Sequence, residues 1–159
     1  MFRVGFGYDV HRLEEGIPFC LGGIRVDHSK GAVGHSDADV LIHAICDALL
    51  GAASLRDIGV HFPDTDASLK GIDSKILLHK VAHLIEMQGW KVGNIDATVC
   101  LQQPKIKDLI PAMQEIIEHT AHLPAGTVSI KATTTEKLGF VGEEKGVTAY
   151  AVALIEKRM

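Results

Sequence analysis

Asp9 and His11 stand two residues apart in the opening run MFRVGFGYDVHRL. Residues i and i+2 of a strand project to one face, roughly 6–7 Å apart along the chain. A carboxylate and an imidazole so spaced can reach a common point. His43 lies in GHSDADVLIHAICDALLGAA, one helical turn after Asp39 and one before Asp47. If its face meets the end of the first strand, Asp9, His11 and His43 form an O,N,N donor set. That set suits tetrahedral zinc with one position left open for catalysis. Asp39 and Asp47 either orient His43 from behind or serve as a helix cap and a solvated charge, the plainer reading being favoured for Asp47. Taken alone, a helical histidine is more often a surface or satisfied core group, so the convergence depends on how strand and helix pack.

Three further stretches carry chemistry. In KATTTEKLGF, the hydroxyls and amides of Thr133, Thr134 and Thr135, beside Glu136 and Lys137, can hold a phosphate and a second, harder cation. Carboxylate plus phosphate oxygens is the usual setting of Mg²⁺; the alternative is a strand end with a capped turn. In DIGVHFPDTD, Asp57, Asp64 and Asp66 either grip the hydroxyls of a polyol or close Asx-turns on their own loop. In LQQPKIK, Lys105 and Lys107 can meet phosphate while backbone amides read a base edge.

The elements that must position these groups follow from periodicity. Residues 2–12 alternate, with Phe2, Val4, Phe6 and Tyr8 on one face and Arg3, Gly5, Gly7, Asp9 and His11 on the other. Period two predicts a strand, its apolar face on the core and its glycine face open to a close neighbour. Residues 16–34, with Gly16, Gly22, Gly23, Gly31 and Gly34, predict a loop or hairpin around 19–21 and 24–26. A helix is expected over 37–53, with Ser36 as N-cap, Asp39 as its capping-box partner, and an apolar stripe of Leu41, Ile42, Ile45, Ala48, Leu49 and Ala52. Residues 54–72 predict a loop. A second helix fits 74–88, capped by Asp73 or Ser74, with Ile76, Leu77, Val81, Leu84 and Ile85 inward, and a third fits 108–122 with Pro111 in its first turn. Strands are expected over 91–103, 127–134 and 147–156. The reading is an α/β (α+β) fold, a mixed four-stranded sheet with helices packed on one face, forming a single domain over 1–159.

Composition narrows the function classes. The chain has 159 residues, 47% hydrophobic and 23% charged, which suits one globular core. A net charge of −4 without a Lys/Arg-rich run argues against nucleic-acid and anionic-membrane partners. No apolar run approaches the ~18 residues of a membrane span. Three distant cysteines, Cys20, Cys46 and Cys100, read as reduced, buried thiols, and with no leader pattern the expectation is a cytoplasmic protein.

In this order, GxDVH, GGxR, HSDxDVxxHAxxDALLGAA, DIGxxFPDTD, GxDS, NxDxT, QxPK, KATTTEKLGFxG and AVAL span the chain. Together they resemble the 2-C-methyl-D-erythritol 2,4-cyclodiphosphate synthase family. The resemblance implies a phosphorus–oxygen lyase of the non-mevalonate isoprenoid pathway. Such an enzyme closes 4-diphosphocytidyl-2-C-methyl-D-erythritol 2-phosphate into the cyclic diphosphate and releases CMP. It implies Asp9, His11 and His43 as Zn²⁺ ligands, the first two also close to substrate, and Glu136 as ligand of Mg²⁺ or Mn²⁺. His35 and Thr134 match the residues that assist the transition state, with Ser36 beside the reacting diphosphate. Asp57, Ile58, Gly59, Phe62, Pro63, Asp64, Thr65 and Asp66 match the methylerythritol segment. Leu101, Gln102, Gln103, Pro104, Lys105, Ile106 and Lys107, with Ala132 and Thr133, match the cytidine pocket, and Thr135 and Phe140 complete the substrate-binding set. The family is homotrimeric, with sites between neighbouring subunits.

Two positions depart from the family pattern. An arginine often follows GFVG there, and a glutamate in the last strand pairs with it; here the two positions hold Glu143 and Tyr150. In the family these positions are linked to a central trimer cavity that can take an isoprenoid diphosphate, and an acidic Glu143 is expected to repel such an anion. Two other functions compete: a zinc-dependent phosphohydrolase acting on a nucleotide-linked substrate, and a cytidine-nucleotide-binding trimer with a closed structural zinc.

Overall fold

The computed structural model describes residues 1–158; Met159, the last residue of the expected domain, lies outside them. In chain order the elements are β1 (Phe2–Glu15), β2 (Phe19–Leu21), β3 (Ile24–Val26), β4 (Lys30–Ala32), α1 (Val40–Ala52), α2 (Ile58–His61), α3 (Ser74–Met87), β5 (Trp90–Cys100), α4 (Ile110–Thr120), β6 (Val128–Thr133), α5 (Gly139–Gly142) and β7 (Gly146–Lys157). Short 3₁₀ turns occupy Ala67–Leu69 and Lys107–Leu109.

The sheet has five strands in the order β4-β1-β7-β5-β6, not the expected four, and β2 and β3 form a separate two-stranded ribbon. The extra strand arises because β1 outruns its partner. Phe2 to Arg12 pair antiparallel with β7, and Leu13 to Glu15 continue beyond it to pair with Lys30–Ala32, inside the glycine-rich stretch expected to be loop. β5 pairs antiparallel with β7 and parallel with β6, so the sheet is mixed.

The faces of β1 are reversed from expectation. Phe2, Val4 and Phe6 are 67%, 66% and 62% exposed, whereas Gly5 and Gly7 are buried beneath α1. An added Cβ at Gly5 would stand 1.9 Å from the Ala48 carbonyl oxygen. Only a residue without a side chain lets a helix lie this close to a strand. The alanines Ala44, Ala48 and Ala52 complete that contact from α1, and all three are buried. On α3, Leu77, Val81 and Ile85 are buried as expected, but Ile76 is 46% exposed because it sits on the solvent side of the helix.

Capping also differs from expectation at α1. Asp39, not Ser36, is the N-cap, its carboxylate accepting from Ile42 N–H at 3.1 Å. The same carboxylate accepts from Gly22 and Gly23 N–H at 2.9 and 2.7 Å, so one buried acid closes the helix and ties the β2–β3 turn to it. Among the cysteines only Cys46 is fully buried; Cys20 and Cys100 are partly accessible at the sheet margins.

Candidate metal centre and cleft

β1 and α1 bring Asp9, His11 and His43 together. Asp9 Oδ2 lies 2.9 Å from His11 Nε2 and 3.1 Å from His43 Nδ1, and the two nitrogens are 3.3 Å apart. Asp9 and His11 share a face through the strand period, across from Ala149 and Val147 of β7. The Gly7 contact lowers α1 onto that face, so His43 arrives over Asp9. Burial pushes the Asp9 carboxyl up, but hydrogen bonds and charge from the two imidazoles outweigh it and hold the group at about 2. Burial pulls His11 down, yet the Asp9 partnership leaves it raised.

This is the one group of three or more His, Cys, Asp or Glu among the described residues whose donor atoms lie within 4.8 Å of one another. Mixed oxygen and imidazole donors at 2.9–3.3 Å fit around one first-row divalent cation, whose bonds to such ligands are about 2.0–2.2 Å. The outer nitrogens are occupied as a metal site requires. His11 Nδ1 faces the Val33 carbonyl oxygen at 2.9 Å, and His43 Nε2 faces Ser74 Oγ at 3.0 Å and Ser36 Oγ at 3.1 Å.

The triad opens on a cleft of about 240 Å³ that includes His11, His35, Ser36, His43, Ile58, Phe62 and Asp64 in its wall. Leu69 and Ile72, not singled out in the sequence, and Leu77, read there only as a core residue, complete its apolar side. His35 Nε2 meets the Asp66 carbonyl oxygen at 3.1 Å, which joins GHSD to the aspartate loop. Within that loop Asp57 caps α2 through Val60 N–H, and Asp66 accepts from the Ser68 amide and hydroxyl, so both close turns. Asp64 faces the cleft, while Gly59, Pro63 and Thr65 do not line it.

The remaining candidates gather elsewhere. Leu101, Pro104, Lys105, Ile106, Lys107, Ala132, Thr133 and Thr134 line a second cleft of about 150 Å³ where β5 and β6 end side by side. Gln102 accepts from Lys137 N–H at 3.3 Å, and Gln103 precedes a cis proline, Pro104. Glu136 lies apart from the triad, its carboxylate accepting from the Thr134 hydroxyl at 3.3 Å. Thr135 and Phe140 line a third groove with Tyr8 and Tyr150 on the exposed face of the sheet. The first and second clefts share no lining residue.

Neither aspartate weighed as a partner for His43 makes that contact. Asp39 is the α1 cap, and Asp47 is a half-buried acceptor, not a solvated charge, taking Ile58 N–H at 2.7 Å. The hydroxyls that do meet His43 belong to Ser36 and Ser74, and Ser74 in turn donates to the Asp37 carboxylate behind it. Ser74 was read only as a possible helix cap and Asp37 was not singled out, because Ser74 is 31 residues from His43 and only the α1–α3 packing joins them.

The YgbB family model matches residues 2–156. The 2-C-methyl-D-erythritol 2,4-cyclodiphosphate synthase of Porphyromonas gingivalis strain W83 is 62% identical over 97% of this chain and 95% of its own length. That of Bacteroides thetaiotaomicron is 63% identical over 98% of each. Among solved structures, IspF of Plasmodium falciparum in complex with CDP is 32% identical with a TM-score of 0.87, covering 99% of this chain and 97% of that one. The bifunctional IspDF of Campylobacter jejuni is 41% identical with a TM-score of 0.95 over 99% of this chain, which spans only 42% of that longer polypeptide. The chain belongs to the YgbB family, that of the 2-C-methyl-D-erythritol 2,4-cyclodiphosphate synthases.

Proposed function

We propose that this chain closes 4-diphosphocytidyl-2-C-methyl-D-erythritol 2-phosphate into 2-C-methyl-D-erythritol 2,4-cyclodiphosphate in non-mevalonate isoprenoid biosynthesis, working in the cytoplasm. The observation that carries the reading is the convergence of Asp9, His11 and His43 at the cleft holding His35, Ser36 and Asp64, in a chain of this family. An oxygen of the substrate's 2-phosphate attacks the β-phosphorus, the bond to the bridging oxygen breaks, and CMP leaves with that oxygen. No protein nucleophile is required. The residues fold the substrate on itself and neutralise its charge.

Asp9, His11 and His43 would hold Zn²⁺, which when bound would polarise the β-phosphate and offset its charge. Glu136 would supply a carboxylate to Mg²⁺ or Mn²⁺, which would offset charge on the substrate's phosphates. His35 and Thr134 stand beside the diphosphate, with the Ser36 hydroxyl as a donor. The 57–66 loop takes the methylerythritol hydroxyls, and Leu101 to Lys107 with Ala132 and Thr133 take the cytidine; the CDP complex of the Plasmodium relative supports a cytidine nucleotide as the kind of ligand.

Two observations support a homotrimer with sites between subunits. His35 and Thr134, which the reaction needs together, line separate clefts of one chain. The sheet face bearing Phe2, Val4, Phe6, Tyr8, Val10, Tyr150 and Val152 is exposed, a contiguous apolar surface of the kind that marks a subunit contact.

The test is incubation with the cytidylated substrate and Mg²⁺, with and without a zinc chelator, following CMP. Release of CMP and cyclic product that stops on chelation and returns with Zn²⁺ is expected. An ¹⁸O label from water in the product shows hydrolysis instead and overturns ring closure.

A further inference from the structure

His43 presents Nδ1 to Asp9 and His11, so the ring nitrogen that would meet a cation is Nδ1 and the ring proton belongs on Nε2. Nε2 faces two hydroxyls, Ser74 at 3.0 Å and Ser36 at 3.1 Å. A serine hydroxyl can donate or accept, so contact alone does not select the tautomer.

Asp37 removes the ambiguity. The Ser74 hydroxyl donates to Asp37 Oδ1. The Ser74 amide donates to Asp37 Oδ2 at 3.0 Å, and the Asp39 amide to Oδ1 at 3.3 Å, so the carboxylate is an acceptor on both oxygens. With its single proton directed to Asp37, Ser74 Oγ meets Nε2 as an acceptor and requires a proton there. Ser36 Oγ already accepts from Ala38 N–H at 3.1 Å; accepting from Nε2 as well leaves its own proton free for the cleft it lines. Ser74 is fully buried, so water does not compete for these bonds.

We propose that Asp37 and Ser74 are positioning residues: acting in series behind His43, they hold its proton on Nε2 and its Nδ1 lone pair toward Asp9 and His11. The Val33 carbonyl does the same for His11 in one step. The inference rests on the reading of the triad as a cation site. Partners behind a histidine ligand commonly change metal affinity 10–100-fold when removed.

Ser74→Thr and Ser74→Val have nearly one shape and differ in the hydroxyl, so their comparison separates the hydrogen bond from packing. Asp37→Ala frees the Ser74 hydroxyl to turn. Co²⁺ affinity is measured by competition against a chromophoric chelator, with the Co²⁺ absorption spectrum and the kcat and KM for CMP release alongside. Ser74→Thr binds Co²⁺ within about threefold of the unmutated chain, whereas Ser74→Val and Asp37→Ala bind about 10–100-fold more weakly, with altered spectra and a lower kcat. Equal affinity and identical spectra for the Thr and Val variants overturn the proposal. If neither Ser74 variant folds, unchanged Co²⁺ affinity in Asp37→Ala overturns it. An unmutated chain that takes up neither Co²⁺ nor Zn²⁺ sinks the cation reading itself, a separate result.

Discussion

A Cβ at Gly7 would stand 1.9 Å from the carbonyl oxygen of Ala44, the residue next to His43. Strand β1 and helix α1 are therefore in backbone contact at the point where one carries Asp9 and the other His43. The distance between the two ligand-bearing segments is set by a missing side chain.

Gly5→Ala and Gly7→Ala both force α1 away from β1, since the clashing atoms are backbone at each position. Each should cost about 1–3 kcal/mol, as overpacking of a filled core does, and lower the melting temperature by about 2–4 °C per kcal/mol. Gly7→Ala should also weaken Zn²⁺ binding, whereas Gly5→Ala, which meets α1 at Ala48 and Ala52, should leave it nearly unchanged. Thermal unfolding with a zinc-competition assay checks both; equal metal affinity in the two variants would count against the Gly7 contact as what places His43.

His43→Ala removes one of three donors and should weaken Zn²⁺ binding more than about 100-fold while abolishing CMP release. The ring is partly buried, so some stability is lost as well. The informative comparison is metal content after dialysis, because a variant that keeps one Zn²⁺ per chain and full activity would refute the assignment.

The motif order made the triad legible, because strand period brings Asp9 beside His11 and helix period sets His43 on a definite side of α1. What the period could not tell is which face of β1 is inside. Phe2, Val4, Phe6 and Tyr8 obey the alternation of a core-facing row, yet they are exposed, since the glycine row is the one α1 can approach. The fifth strand was hidden for a related reason: Lys30–Ala32 has little strand character, and only the overhang of β1 gives it a partner. Ser74 was illegible because it reaches His43 from α3, and Asp37 because it acts on His43 only through Ser74.

Cys46 is fully buried in α1, and burial raises its thiol well above the ordinary value, with Asp47 and Asp39 adding to the effect. It should have neither thiolate character nor access in the native state. Iodoacetamide at pH 8 should leave Cys46 unmodified until the chain unfolds, while the partly accessible Cys20 reacts earlier. Peptide mapping by mass spectrometry decides it, and early Cys46 labelling would mean that α1 opens locally.

The exposed row on β1 and β7 predicts self-association. Phe6, 62% exposed, packs its ring 6.4 Å from Tyr150, and Tyr8 lies 5.1 Å from the same ring. Phe6→Glu places a charge in that row and should dissociate the proposed assembly, with loss of CMP release, as expected of a site that draws His35 and Thr134 from neighbouring subunits. Analytical ultracentrifugation of the variant and the unmutated chain gives the masses directly; a chain that is monomeric and fully active from the start would remove the need for a shared site.

The same face bears on isoprenoid diphosphates. Tyr150 occupies the strand position where the family pattern often has a glutamate, and it is covered from one side by Tyr8. Glu143, at the position of the usual arginine, pairs with Lys145 instead. A diphosphate approaching this end of the sheet meets a carboxylate where a guanidinium would have bound it through paired hydrogen bonds. Calorimetry with farnesyl diphosphate should therefore detect no tight complex, and Glu143→Arg should gain affinity most clearly at low ionic strength, where exposed charges are least screened. Tight binding to the unmutated chain would mean that Lys145, or another cation on this rim, takes the arginine's part.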